Sequence, residues 1–451
     1  MALHIVLPVL CLTVAVAHGL SIDFRADLNH PYAGRSSLST GDVIIHAARA
    51  SKARAARINA RLARVLGNLS AADVPVAPLS DQGHSLTVGI GTPPQPRTLI
   101  VDTGSDLIWT QCSMLSRRTR TAASASASRQ REPLYEPRRS SSFAYLPCSD
   151  RLCQEGQFSY KNCARNNRCM YDELYGSAEA GGVLASETFT FGVNAKVSLP
   201  LGFGCGALSA GDLVGASGLM GLSPGIMSLV SQLSVPRFSY CLTPFAERKT
   251  SPLLFGAMAD LRRYRTTGTV QTTSILRNPA METAYYYVPL VGLSLGTKRL
   301  DVPATSLGMI KPDGSGGTIV DSGSTMSYLE ETAFRAVKKA VVEAVRLPVA
   351  NGTDEDYDDY ELCFALPTGV AMEAVKTPPL VLHFDGGAAM TLPRDNYFQE
   401  PRAGLMCLAV GTSPDGFGVS IIGNVQQQNM HVLFDVRNQK FSFAPTKCDD
   451  I

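Results

Sequence analysis

The sequence predicts a mainly β protein built from two related halves. Turn-forming residues are abundant, with 39 Gly and 27 Pro among 451 residues, and short β-type runs recur from about residue 81. One strand-then-aspartate motif also occurs twice, 219 positions apart. Hydrophobic residues make up 45% and charged residues 18%, the profile of a chain that buries a core rather than a disordered one. A formal net charge of +2 supplies no field for nucleic acid. The apolar patterning excludes a multi-span membrane protein and a coiled coil.

The first apolar run, Ile5 to Ala17, is interrupted by Pro8 and is shorter than the ~20 residues a spanning helix needs. It closes on Ala15-Val16-Ala17, a small-x-small cleavage pattern, although only His4 stands where a basic leader belongs. Residues 1–17 are therefore expected to be a secretory signal, leaving no stable membrane span after cleavage. Eleven cysteines then become ten, at 112, 148, 153, 163, 169, 205, 241, 363, 407 and 448. An even number in an exported chain favours disulfides. No Cys-x-x-Cys pair supports a zinc site, so no metal is expected.

Residues 18–80 carry eight Lys/Arg against four Asp/Glu, while residues 81–451 carry 33 against 35. Arg54, Arg57, Arg61 and Arg64 recur at helical spacing, and Ile58, Leu62, Val65, Leu66 and Leu69 supply an apolar face. Behind a signal and ahead of an acidic remainder, this basic amphipathic helix reads as a detachable pro-segment over 18–80, with membrane-surface binding as the rival.

Beyond residue 81 the runs Ser85–Ile90, Thr98–Val101, Glu187–Phe191 and Tyr285–Val288 are expected strands. Phe334, Val337, Val341 and Val345 predict one helix. Residues 113–131, rich in Ala, Ser and Arg, cannot form a core and read as a disordered surface loop. The acidic cluster 354–359 reads as a solvated loop. Asn68 and Asn351 begin glycosylation sequons, and Asn351 falls on the expected mature chain.

The repeat carries the chemistry. Leu99-Ile100-Val101-Asp102-Thr103-Gly104-Ser105 is matched by Thr318-Ile319-Val320-Asp321-Ser322-Gly323-Ser324-Thr325. Each half later reaches two apolar residues and Gly, Leu219-Met220-Gly221 and Ile421-Ile422-Gly423. An aspartate at a strand tip followed by hydroxyl, Gly and hydroxyl suits a carboxylate held for reaction. Gly104 and Gly323 permit a tight turn and close approach of the opposite loop. Thr103 and Ser322 can bond across to the partner loop, while Ser105 and Ser324 can donate to the outer carboxylate oxygens. Two such carboxylates cannot both ionise readily and share a proton, so one serves as base and the other as acid. Asx turns are the plainer reading of one motif; two motifs with the same sequel argue against it.

Several stretches together resemble pepsin-type aspartic proteases of the plant nepenthesin-like branch. They are Gly91-Thr92-Pro93-Pro94-Gln95, Asp102 through Cys112, Phe203-Gly204-Cys205-Gly206, Phe238-Ser239-Tyr240-Cys241-Leu242, Asp321 through Thr325 and Ile421 through Asn429. The resemblance covers residues 84–448. It implies a mainly β, bilobal pepsin-like acid protease fold with two β-rich lobes, 81–265 and 266–451, and a cleft between them. Asp102 and Asp321 would be catalytic, Tyr175 the flap residue over the substrate, and Trp109 its support. The family pattern implies disulfides Cys148–Cys169, Cys153–Cys163, Cys241–Cys448 and Cys363–Cys407.

Departures from the pattern follow Cys112, where two further cysteines are replaced by the Ala/Ser/Arg stretch. Cys112 and Cys205 are expected to pair with each other or to stay free. The flap segment Tyr175–Gly182 lacks the usual Asp-Gly and looks one residue short. The implied activity is a secreted, acid-acting endopeptidase that binds a polypeptide in extended form, needs no cofactor, acts as a monomer and is masked by its own pro-segment. Apoplast is the expected address, with vacuole or plastid as alternatives. The rival function is an inactive binding protein like the plant xylanase inhibitors of this fold. No His-Glu-x-x-His motif occurs among the seven histidines to offer a zinc hydrolase.

Overall fold

The computed structural model describes residues 22–29, 39–65, 84–113, 133–175, 178–192, 197–210, 213, 216–247, 249–280, 285–350, 359–414 and 418–451. The expected signal, both sequons and nearly all of the Ala/Ser/Arg stretch lie outside them.

In the first half, the strands form a nine-stranded sheet that begins at Ser85–Ile90 and Gln95–Asp102 and ends at the hairpin of Cys169–Tyr175 with Tyr160–Cys163. Gln95–Asp102 is buried on both faces over its last four residues, which is why it reads as a continuous aliphatic run rather than an alternating one. It pairs in parallel with Gly218–Gly221, placing Gly221 beside Asp102. The second half repeats this geometry. Thr318–Val320 runs parallel to Ser420–Ile422, with Val320 beside Ile422, inside a five-stranded sheet. The two apolar pairs picked out by repetition are thus the strands that flank the aspartate strands.

A six-stranded sheet joins the halves. It contains Arg237–Cys241 and Ser251–Phe255 from the first, and Met430–Asp435, Lys440–Pro445 and Gln271–Ser274 from the second. Its sixth strand, Phe24–Leu28, comes from the segment before residue 81 and pairs antiparallel with Ser251–Phe255. Phe24, Ala26 and Leu28 point inward, and the Phe24 ring stacks on Phe255 at 4.5 Å. The expected helix forms as Glu331–Val345 and buries Phe334, Val337, Val341 and Val345. Glu330 caps it by accepting from the amides of Thr332 and Ala333.

Five disulfides close the described chain. Cys241–Cys448 ties the joining sheet to the last turn, Cys363–Cys407 links adjacent strands, and Cys112 pairs with Cys205. The other two correct the expectation: Cys148 is bonded to Cys163 and Cys153 to Cys169, not Cys148 to Cys169 and Cys153 to Cys163. Burial sorts them. Cys153 is the inward residue of the helix Arg151–Glu155 and meets the fully buried Cys169, whereas Cys163 lies on an exposed edge strand near the partly exposed Cys148.

His431, in the joining sheet, is fully buried; its Nε2 lies 3.0 Å from Ser239 Oγ and its Nδ1 has no partner. Burial pushes its pKa from 6.5 down to about 4. The folded chain therefore refuses a proton that the unfolded chain accepts. Its stability is intact above about pH 6.5 and falls as pH drops toward 4, by at most about 3 kcal/mol from this one group. Urea unfolding of His431→Gln should show a flatter decline than wild type between pH 6.5 and 4.5; equal slopes would assign the decline elsewhere.

Candidate active site

Asp102 and Asp321 sit at the ends of equivalent strands and are completely buried where the halves meet. Their placement follows from backbone bonds: Leu222 N donates to Asp102 O at 2.8 Å, and Asp321 N donates to Ile422 O at 3.0 Å. The two loops are cross-bonded. Ser322 N donates to Thr103 Oγ1 at 2.9 Å and Thr103 N donates to Ser322 Oγ at 3.2 Å. The Thr103 hydroxyl also reaches Val320 O at 3.3 Å. A Cβ on Gly104 would collide with the Asp321 carboxylate, and one on Gly323 with that of Asp102, so both positions require glycine.

Donors are distributed unequally. Asp321 accepts from Gly323 N at 3.0 Å and from Ser324 Oγ at 2.6 Å. Asp102 accepts from Gly104 N at 2.9 Å; its Oδ2 has no donor in good hydrogen-bond geometry, and the Ser105 hydroxyl, close by but off that geometry, favours the ionised Asp102 only as a lesser neighbour.

The remaining partner is Arg54, a residue whose role sequence reasoning missed. The helix Thr40–Val65 crosses the seam and directs Arg54 into it. Arg54 Nε donates to Asp321 Oδ2 at 2.7 Å, and Nη2 donates to Asp102 Oδ1 at 2.7 Å and to Asp321 Oδ1 at 3.1 Å. One guanidinium thus bridges both carboxylates in the fork geometry that suits arginine. Helical spacing grouped Arg54 with Arg57, Arg61 and Arg64 on one basic face without singling it out; the structure buries Arg54, because the inward stripe also holds Ile44, Ala47, Ala48, Ala50, Ser51, Ala55 and Ile58. Ser51 Oγ accepts from Met326 N at 2.9 Å, and Asn59 Nδ2 donates to Ser413 Oγ at 3.0 Å. At the outer edge Arg49 pairs with Asp359 at 3.2 Å, so the end of the acidic cluster is an ion-pair partner rather than free solvated charge.

Burial pushes the Asp102 carboxyl above its ordinary range, with Arg54 pulling the other way and the neighbouring Asp321 adding to the rise. Burial acts on Asp321 too, but the charge and hydrogen bonds of Arg54, with those of Ser324 and Gly323, prevail and hold it below. The count of donors gives the same order, so of this coupled pair Asp102 takes up a proton first.

Trp109 is fully buried in a cluster with Leu107, Tyr171 and Leu219. Tyr175 ends the strand Cys169–Tyr175 and pairs with Ala178 across the hairpin tip; its side chain, like Asn351, lies outside what is described. Among the described residues no group of three or more His, Cys, Asp or Glu is arranged to hold a metal ion, and no helix is long and apolar enough to cross a membrane.

Comparison with known proteins bears on this site. Family models for the xylanase inhibitor N-terminal and C-terminal domains match residues 84–257 and 285–445. Aspartic proteinase nepenthesin-1 of Nepenthes gracilis is 40% identical over 82% of this chain and 78% of its own. Nepenthesin-2 of the same plant is 36% identical over 94% and 90%, and aspartyl protease 37 of Oryza sativa subsp. japonica is 35% identical over 84% and 82%. The crystal structure of edgp superposes with a TM-score of 0.63 at 19% identity, covering 84% of this chain and 93% of that one. Soybean basic 7S globulin gives 0.61 at 15%, covering 82% and 94%. At such identities these two structures speak for the fold alone.

The Arg54 contact generates a prediction about the helix. Arg54→Leu leaves two buried carboxylates without their counter-charge, a loss worth about 3–5 kcal/mol for a buried pair. Hydrogen exchange at pH 7 should then be faster throughout Thr40–Val65, with the strands around Asp102 and Asp321 still protected. Unchanged exchange in the helix would mean that its apolar face alone holds it.

Proposed function

The chain belongs to the nepenthesin-like branch of the pepsin-type aspartic proteases and is an aspartic endopeptidase, and on that premise we propose that it is made as a zymogen whose own helix Thr40–Val65 blocks the dyad until acid releases it. The observation that carries this reading is the Arg54 bridge, which occupies the carboxylate oxygens that a nucleophilic water needs. With the helix gone, Asp102 and Asp321 share one proton. The ionised carboxylate takes a proton from the water as it attacks the scissile carbonyl, and the protonated one gives its proton to the carbonyl oxygen, forming a non-covalent tetrahedral diol. The substrate is a polypeptide bound in extended form between the halves under Tyr175, with Trp109 supporting the flap from the core.

Acid release follows from the charges. Docked Arg54 favours the doubly ionised pair, whereas the undocked pair prefers to hold one proton, so the docked form binds fewer protons. Docking is therefore strongest at neutral pH and weakens as pH falls into the carboxylate range near 4. Export through the Ile5–Ala17 signal to an acidic space, apoplast or vacuole, places the monomeric enzyme where this release happens. The inhibitor-like alternative lacks support from the site itself, since both aspartates and the Thr103, Ser322 and Ser324 hydroxyls are in place.

Two outcomes test the reading. Asp102→Asn and Asp321→Asn should each lower hydrolysis of a denatured protein at acid pH by about 1000-fold or more, and a statine-type inhibitor should silence wild type. At pH 6–7, Arg54→Ala and a chain beginning at residue 81 should cleave peptide faster than the full-length chain. Equal rates would leave the helix without an inhibitory role.

A further inference from the structure

Beneath the dyad lie two buried tyrosines, each rooted in one half and bonded to the other. Tyr240, in the first-half strand Arg237–Cys241, donates its hydroxyl to Gln427 Oε1 in the second half. Gln427 gives its Nε2 to the carbonyls of Ile422 and Gly423 at 2.9 and 3.0 Å. The Ile422 carbonyl is the one that receives Asp321 N. Tyr286, beside the second-half strand Tyr287–Val288, donates its hydroxyl to Leu222 O of the first half at 2.7 Å. Leu222 N is the donor that holds Asp102 O, and the Tyr286 carbonyl itself accepts from Val320 N at 3.0 Å. Phe434 packs against both rings, 5.9 Å from Tyr240 and 4.5 Å from Tyr286.

Phenylalanine would fill these fully buried positions without a polar group to satisfy. Each phenol instead directs its hydroxyl across the seam, Tyr286 to the backbone beside Asp102 and Tyr240, which also neighbours the Thr103 hydroxyl, through the Gln427 side chain to the carbonyls beside Asp321. Burial raises both phenols well above their ordinary range, so they stay protonated donors at every pH at which the enzyme works. We propose that Tyr240 and Tyr286 are positioning residues for peptide hydrolysis, a crossed pair that sets the separation and depth of Asp321 and Asp102 by holding each from the opposite half. This rests on the endopeptidase reading. A water must reach both carboxylates, and catalytic groups tolerate displacements of only about 0.5 Å. Slippage of either loop therefore costs turnover rather than substrate binding, and it alters how the pair shares its proton.

The test uses the full-length chain matured at acid pH, with active sites counted by a tight statine-type inhibitor and a quenched fluorescent peptide as substrate. Tyr240→Phe and Tyr286→Phe should each lower kcat about tenfold with KM within twofold of wild type. Each should also shift a limb of the kcat/KM pH profile by half a unit or more. Gln427→Met, which removes the acceptor of Tyr240, should reproduce the Tyr240→Phe profile and serves in its place if that variant does not fold. A lower melting temperature with kcat and both limbs unchanged would show plain core packing and overturn the proposal. Wild type no more active than Asp102→Asn would instead defeat the endopeptidase reading, and this proposal with it.

Discussion

Two carboxyl groups with no exposed surface are held at the point where two β sheets meet, and most of what surrounds them answers the cost of keeping them there. Each motif supplies what its aspartate needs at close range: a glycine amide on one oxygen and, for Asp321, a serine hydroxyl on the other. The parallel partner strands supply the backbone bonds, and the Thr103–Ser322 exchange locks one loop to the other. None of these groups carries a full positive charge. In this chain the charge comes from outside both halves, as Arg54.

The segment before residue 81 is accordingly built into the fold at two places. Phe24–Leu28 completes the edge of the joining sheet, and Thr40–Val65 spans the seam with apolar contacts on both sides. Its buried stripe is mostly alanine around Arg54, which lets a helix approach the floor of the seam closely enough for a guanidinium to reach two carboxylates. Bulkier residues at Ala47, Ala50 or Ala55 would lift the helix and break the bridge.

The sequence made the dyad legible because its determinants are local. A strand, an aspartate, a hydroxyl and a glycine within five residues can be read without knowing the fold, and repetition separates them from chance turns. Residues whose role depends on distant partners were harder. Arg54 has the periodicity of the other basic residues, and spacing finds a helix without saying which stripe, or which arginine in it, meets the protein. The crossed cysteines had the same difficulty: 148, 153, 163 and 169 fall within 22 residues, and only the burial of Cys153 and Cys169 decides the pairing. Phe24–Leu28 alternates correctly, but five residues carrying Arg25 and Asp27 are too short a signal to stand out from a polar segment.

An arginine at the centre of the seam also restricts how release can depend on pH. A guanidinium between two carboxylates is held still more firmly in its charged form, so Arg54 itself does not titrate. At the bridge itself the titration takes place on Asp102 and Asp321, and the asymmetry of their donors makes Asp102 the first to change. A proton taken up by Asp102 on Oδ2, the oxygen without a donor, leaves Oδ1 as an acceptor but halves the charge facing the guanidinium and reduces the Arg54 bond to Asp102 to one with a neutral carboxyl, while Asp321 stays ionised and fully bonded. The same proton that loosens the bridge is the one the dyad needs to act as an acid, so release of the helix and readiness for catalysis are coupled through a single carboxyl group.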